Sequence, residues 1–330
     1  MTSGRRATVV SGAGVRSVLI TGVAGFIGSN LAERLVADGH RVVGLDNLAY
    51  GVIEQVPDRV EFHALDIRDP GTYRLYDGID VVFHLAAKNC IPDCQADPLD
   101  TFDINVRGTV QVFEASRHAR VRKVVYAESA ALYEGATTLP SREADTSPQG
   151  FYALSKAAAR LAAQGFERYA NLKTTALRYF CVYGPRQDYR RTVPPVMSAF
   201  ILKLLRGEQP VIYGTGEKRR DFVYVDDVND FHVLCAVDGR TDGATYNLGS
   251  GTSHSVREIF DRVARLVGSG LTPRHEGNLP GEAEETRADI TRARALGWAP
   301  RIDLETGLKR SIAYIREHVI DRPAAVSSAR

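Results

Sequence analysis

The chain has 330 residues, 44% of them hydrophobic and 25% charged, enough for one large core or two modest ones. A formal charge of +2 gives no general pull toward nucleic acid or a membrane surface, and no apolar run approaches the roughly 20 residues that span a bilayer. Four cysteines (Cys90, Cys94, Cys181, Cys235) are too few for a disulfide scaffold, and nothing near Cys90 and Cys94 completes a zinc site, so a cytoplasmic protein with no metal is expected.

Residues 1–16 read as an N-terminal extension. Ser11-Gly12-Ala13-Gly14 resembles a phosphate loop but lacks a third glycine in register and a following helix. Ala7 to Val15 is too short and too broken by glycine for a secretion signal. From Ser17 the pattern changes. Val18 to Ile20 is an apolar run of strand length, and from Phe26 the spacing Ile27, Leu31, Leu35 is helical. Gly22, Gly25 and Gly28 fall at every third position across that junction. Glycine permits a tight turn and the close approach of another backbone or a phosphate, and the helix N-terminus offers unpaired N–H groups to a diphosphate. A glycine-rich turn alone carries little; here a second strand follows, from Arg41, and ends in Asp46. A carboxylate about twenty residues beyond the loop reaches a ribose 2′-hydroxyl. Asp46 would repel a 2′-phosphate and no arginine follows it, so NAD is expected rather than NADP.

Further strands are predicted near 18–21, 41–46, 60–65, 80–85, 122–128 and 173–180, and helices near 26–38, 98–118 and 151–170. Alternation of this kind predicts an α/β fold, a Rossmann-type doubly wound parallel sheet, with ligands beyond the carboxyl ends of the strands. Those ends read Asp46, Asp66-Ile67, Leu85-Ala86-Ala87 and Glu128-Ser129. Asp66 either meets the adenine edge or caps the segment after Pro70. Ala86 and Ala87 are small, as a backbone lying along a cofactor requires. After residue 180 proline, glycine and arginine become frequent. Short strands (Val211 to Tyr213, Phe222 to Val225, Tyr246 to Leu248) mix with helices near 194–206, 226–236, 255–267 and 304–318. A smaller α/β substrate-binding lid, residues 181–220 and 251–320, is expected, with a return to the 17–180 domain near 221–250 and a tail at 321–330.

Tyr152 and Lys156 stand four apart on one helix face, and Ser129 ends the preceding strand. A phenol with an ordinary pKa near 10 needs about 4 kcal/mol of preferential stabilisation to act as a base at pH 7. A lysine on the next turn and an oxidised nicotinamide both supply positive charge for that. The three side chains therefore read as a device that removes a hydroxyl proton while hydride leaves the same carbon.

Thr21-Gly22-x-x-Gly25-x-x-Gly28, His84-Leu85-Ala86-Ala87, Asn105-Val106-x-Gly108-Thr109, Ser129, Tyr152-x-x-x-Lys156, Leu177-Arg178-Tyr179-Phe180, Tyr183-Gly184-Pro185-Arg186, Arg220-Asp221-Phe222 and Val225-Asp226-Asp227 resemble, in this order, the extended short-chain dehydrogenase/reductase family. The resemblance is to its nucleotide-sugar epimerase and dehydratase branch and runs from about Ser17 to Ile315. It implies a tightly held NAD, a nucleoside-diphosphate hexose as substrate, a transient 4-keto sugar, and a homodimer pairing the helices near 103–118 and 151–168. For the cofactor it implies Gly22, Gly25, Phe26, Ile27, Gly28, Asp46, Asn47, Asp66, Ile67, Leu85, Ala86, Ala87, Asn105, Tyr152, Lys156 and Tyr179. For the substrate it implies Lys88, Glu128, Ser129, Cys181, Val193, Tyr213, Arg220 and Arg287. By position Arg220 matches the arginine on the substrate diphosphate, and Tyr213 either lies against the base or packs in the lid.

Departures from the pattern bear on the reaction. Ala130 and Ala131 stand where dehydratases of this branch carry an Asp-Glu pair, which favours 4-epimerisation over dehydration. Glu128, Glu134 and Cys181 replace a serine, a glycine and an asparagine, and a carboxylate or thiol near the sugar would allow a dehydratase acting through the same ketone. Leu279 stands where relatives place a second diphosphate arginine, a role open to Arg274 or Arg287. The third reading, a non-catalytic NAD-binding regulator, has no need of Ser129, Tyr152 and Lys156 together.

Overall fold

The computed structural model describes residues 14–191, 193–278 and 283–321. Ser11 to Ala13 of the Ser11-Gly12-Ala13-Gly14 stretch, Leu279 and the tail beyond Asp321 lie outside the described residues. From Ser17 the chain alternates strand and helix. β1 (Ser17–Thr21), α1 (Phe26–Ala37), β2 (Arg41–Asp46), β3 (Glu61–Ala64) and β4 (Val81–His84) come first. Then follow α2 (Ile91–Ala96), α3 (Pro98–Phe102), α4 (Thr109–His118), β5 (Lys123–Ser129), α5 (Phe151–Ala170) and β6 (Thr174–Tyr179). The second half adds β7 (Cys181–Tyr183), α6 (Val196–Leu205), β8 (Val211–Tyr213), β9 (Arg219–Tyr224), α7 (Val225–Val237) and β10 (Ala244–Leu248). It ends with β11 (Ser253–Ser255), α8 (Val256–Val267), β12 (Arg274–Glu276), α9 (Thr291–Ala295) and α10 (Leu304–Ile315).

Seven strands form one parallel sheet in the order β10-β6-β5-β4-β1-β2-β3. Val18, Leu19 and Ile20 are fully buried, as a central parallel strand covered on both faces must be. One face packs α1 and α7 through Leu31, Leu35, Val228 and Phe231; the other packs α4 and α5 through Val112, Phe113 and Ala163. The strand order reverses between β1 and β4, so a crevice opens beyond their carboxyl ends, where doubly wound sheets bind ligands. A third core gathers Phe200 and Ile201 of α6, Ile259 and Val263 of α8, and Leu308 and Ile312 of α10 around Tyr183. A three-stranded sheet (β11-β9-β7) and the β12-β8 pair complete that part.

The spacing over 98–118 predicts one helix, but a π-helical turn, Asp103–Gly108, separates α3 from α4. Packing explains the irregularity. Asn105 in that turn is buried between the Lys88 backbone and Ser155, and a Cβ on Gly108 would sit 2.6 Å from Ile67 Cδ1. The C-terminal helix likewise stops at Ile315 and passes into a π-helical turn, Arg316–Ile320.

Candidate active site

The glycine turn is shaped by how closely β1, β4 and α1 meet. Gly22 has φ +73°, and a Cβ there would lie 2.7 Å from the Ala86 nitrogen; a Cβ on Gly28 would lie 2.1 Å from the Gly22 carbonyl oxygen. Neither position admits a side chain. At Gly25 a Cβ would meet just the Gly22 carbonyl, at 3.2 Å, so the space in front of the helix start is open. No side chain caps α1. Its first N–H groups are thus presented to that space, the arrangement a diphosphate requires. Asp46 ends β2 beside this turn and accepts the N–H groups of Ala24 (3.0 Å) and Leu48 (2.8 Å). Burial pushes its carboxyl above the usual value, and those two N–H groups oppose the shift. Glycines that a Cβ would clash with, an uncapped helix start and a carboxylate at the end of β2 together fit a dinucleotide.

Around the crevice the polar groups are tied to one another. His84, at the end of β4, bridges Thr21 of β1 and Thr109 of α4 at 2.7 and 2.9 Å. Burial drives it down to about 3, so it is neutral. Asn105 accepts the Lys88 N–H at 2.9 Å and donates to the Lys88 carbonyl (2.9 Å) and Ser155 hydroxyl (3.0 Å), pinning the loop after β4 to α5. The Tyr179 hydroxyl meets His232 Nε2 at 2.7 Å. Asp66 is paired with Arg68 and bonded by Asn47 at 2.8 Å, which holds its carboxyl down to about 2. The segment after Pro70 is capped by Asp69 rather than by Asp66.

At the end of β5 the three catalytic candidates converge. Ser129 Oγ accepts the Ala131 N–H at 3.1 Å and hydrogen-bonds Tyr152. Lys156 is buried, donates to the Ala127 carbonyl at 3.0 Å, and has its ammonium 6.0 Å from the centre of the Tyr152 ring. Burial raises the Tyr152 phenol to about 12, against the Ser129 hydrogen bond, and lowers Lys156 to about 8. The phenol at the start of α5, the ammonium one turn on and the serine at the strand end form one cluster. Glu134 accepts the Gly150 N–H at 2.9 Å at the start of the same helix.

One expected substrate contact is corrected here. Glu128 does not line a sugar pocket: its side chain is fully buried against Arg178, with both contacts to Oε2, at 2.9 and 2.7 Å. Strand alternation turns it to the sheet face opposite Ser129. The Lys88 ammonium is buried as well and is committed to Asp100 at 2.9 Å. In the lid, Cys181, Val193 and Tyr213 are half-buried. Arg220 donates to the carbonyls of Arg219 and Ala283 at 2.9 and 2.8 Å. Arg287 lies 3.7 Å from Glu285, and Arg274 pairs with Glu276 at 2.7 Å. Sequence reasoning passed over Asp221, whose carboxylate accepts the N–H groups of Ser250 (2.6 Å), Gly251 (3.0 Å) and Ala288 (2.9 Å) and so ties β9 to two later loops. Its place beside Arg220 in the Arg-Asp-Phe motif was the available signal.

A family model described as the NAD dependent epimerase/dehydratase family matches residues 18–249. A UDP-glucose 4-epimerase of Mycolicibacterium smegmatis is 37% identical over 308 residues, covering 90% of this chain and 98% of that protein. Among solved structures, the UDP-glucose 4-epimerase of Thermotoga maritima with UDP-glucose has a TM-score of 0.88 at 32% identity, covering 91% of this chain and 99% of that one. A dTDP-glucose 4,6-dehydratase of Streptomyces venezuelae with NAD has a TM-score of 0.84 at 28% identity, covering 92% and 97%.

Proposed function

The chain belongs to the NAD dependent epimerase/dehydratase family, and from that premise we propose that it inverts C4 of a nucleoside-diphosphate hexose through a transient 4-keto sugar. NAD is its cofactor; when bound it would supply reversible hydride chemistry at the sugar carbon and, in its oxidised form, a positive charge that favours a phenolate. Gly22, Gly25, Gly28 and Asp46 would hold it, on the fit of the turn, the helix start and the carboxylate. Tyr152 takes the proton of the C4 hydroxyl and gives it back. Ser129 donates to the same oxygen, fixed in orientation by the Ala131 N–H. Lys156 keeps a positive charge near the ring. The observation that carries this reading is the convergence of half-buried Tyr152 and Ser129 on buried Lys156 at the end of β5, next to the β1/β4 crevice.

Epimerisation is favoured over dehydration because Ala130 and Ala131 offer neither an acid nor a base after Ser129, and because Glu128 is turned away and paired. Arg220 and the lid would receive the diphosphate. A homodimer is supported by an exposed apolar stripe on α5, Phe151 at 40%, Leu154 at 38% and Leu161 at 68%, beside Leu99 at 85% and Phe102 at 36% on α3. A cytoplasmic setting is supported by four cysteines present as thiols. Incubating the protein with a panel of nucleotide sugars tests the reading. The expected product has unchanged mass and inverted C4 by proton NMR; a product lacking one water would replace this reading with the dehydratase.

A further inference from the structure

Glu128 is a buried titratable group to which the proposed chemistry gives no task. It is the direct cross-strand partner of Arg178, and its Oε2 accepts both guanidinium contacts. Its Oε1 is buried and has no hydrogen-bond partner among the described residues. Arg178 is itself fixed from the other side, donating to the Tyr133 hydroxyl at 2.7 Å and the Glu143 carbonyl at 3.0 Å, while Tyr133 donates to Asn247 at 2.6 Å. The carboxylate is thus clamped by one oxygen with the other left over. A buried anionic oxygen without a donor is costly unless a nearby cation compensates it.

Glu128 shares its strand face with Tyr126, which packs with Phe113 in the core that includes Ala163 of α5. Lys156 lies on that helix, and its ammonium is bonded to the carbonyl of Ala127, the residue before Glu128. We propose that Glu128 is a positioning residue for the Tyr152–Lys156 pair: its clamped carboxylate keeps the buried Lys156 side chain charged beneath the phenol. This deepens the proposed function and rests on it for the task of Lys156.

The groups facing Lys156 are Glu128 of β5, Cys94 of α2, His84 of β4 and Tyr152 on its own helix. Glu128 faces Arg178 of β6, Arg160 of α5 and Tyr126 of its own strand. His84 is neutral, and burial raises the Cys94 thiol, leaving it protonated. Glu128 therefore supplies the negative charge, and it is the strongest influence opposing the burial that lowers Lys156.

The chain has seven lysines, so 13Cε-lysine NMR can follow Lys156 by pH titration of the intact protein, with assignment by its absence in Lys156→Arg. Glu128→Gln should lower the Lys156 midpoint by on the order of one pH unit. It should also draw the alkaline limb of kcat/KM to lower pH by a similar amount, while Glu128→Asp, which keeps the charge, moves both by less. Should the single variant not fold, Glu128→Gln with Arg178→Met removes the buried pair together, a change such pairs tolerate, and the midpoint should fall by less than in the single variant because the Arg178 charge beside Glu128 is lost with it. A lower thermal stability with an unmoved lysine midpoint in folded Glu128→Gln, or in the folded double variant where the single one does not fold, would overturn the proposal. A lowered midpoint in a protein that turns over no nucleotide sugar would leave it standing and remove the proposed function instead.

Discussion

The ends of the seven-stranded sheet and the lid position their polar groups in different ways. Beside β5, the groups that matter are neighbours in sequence or on adjacent strands: Tyr152 and Lys156 one helical turn apart, Ser129 at the strand end, Glu128 opposite Arg178 in register. In the lid, the corresponding groups are held from far along the chain. Arg220 is anchored by the Ala283 carbonyl and Asp221 by Ser250, Gly251 and Ala288. The first arrangement is built from local contacts, the second from contacts between distant loops, which fits the proposed division between chemistry and recognition.

Substitutions can break that contrast. Tyr152→Phe removes one hydroxyl from the local cluster, so turnover should fall by about a hundred- to ten-thousand-fold. Thermal unfolding and NAD content should hardly change; retention of most activity would remove the sheet-end chemistry. Asp221→Ala strands the backbone N–H groups of Ser250, Gly251 and Ala288. Urea unfolding should record a loss on the order of 3 kcal/mol, whereas a change near zero would mean that those loops are held otherwise. Arg220→Ala should raise KM on the order of tenfold with kcat little changed, the signature of recognition; an equal loss in kcat would place Arg220 in the chemistry.

Smaller effects sharpen the same picture. Cys181→Asn should leave activity within about threefold and the product unaltered; a new product would give the thiol a chemical part. The acidic side chains around Arg68 set a pH dependence. Asp66 is lowered to about 2 by Arg68, and Asp103 to about 2 by Arg107 and Arg68. Their folded values lie below the unfolded ones, so the stability they contribute is complete above pH 3.8 and is lost as pH falls through about 2. Both are half-buried and still screened by solvent, which limits the effect to less than about 1 kcal/mol. Acid titration of Arg68→Gln should accordingly lose less stability across that window than the parent chain does.

The legibility of the chain follows the same division. The glycine turn, Asp46, the strand ends and the Tyr152–Lys156 spacing are local patterns, and the alternation of strands and helices reports the parallel sheet. The π-helical turn at 103–108 was not legible, because apolar spacing continues through it while its cause, Asn105 wedged against Lys88 and Ser155, is tertiary. β11 (Ser-His-Ser) and β12 (Arg-His-Glu) have three residues each and, unlike the equally short Val-Ile-Tyr of β8, contain no apolar run to signal a strand. Glu128 was misread as a substrate contact because its environment depends on β6. Aligning the ends Glu128-Ser129 and Arg178-Tyr179 as parallel neighbours would have placed opposite charges side by side.

The account turns on oxidation and reduction of one sugar carbon. UDP-hexoses and dTDP-hexoses carrying deuterium at C4 test it directly in the intact protein. The result expected is product with inverted C4 that retains the deuterium there. Washout of the label into water, loss of water from the sugar, or no conversion of any hexose would contradict it.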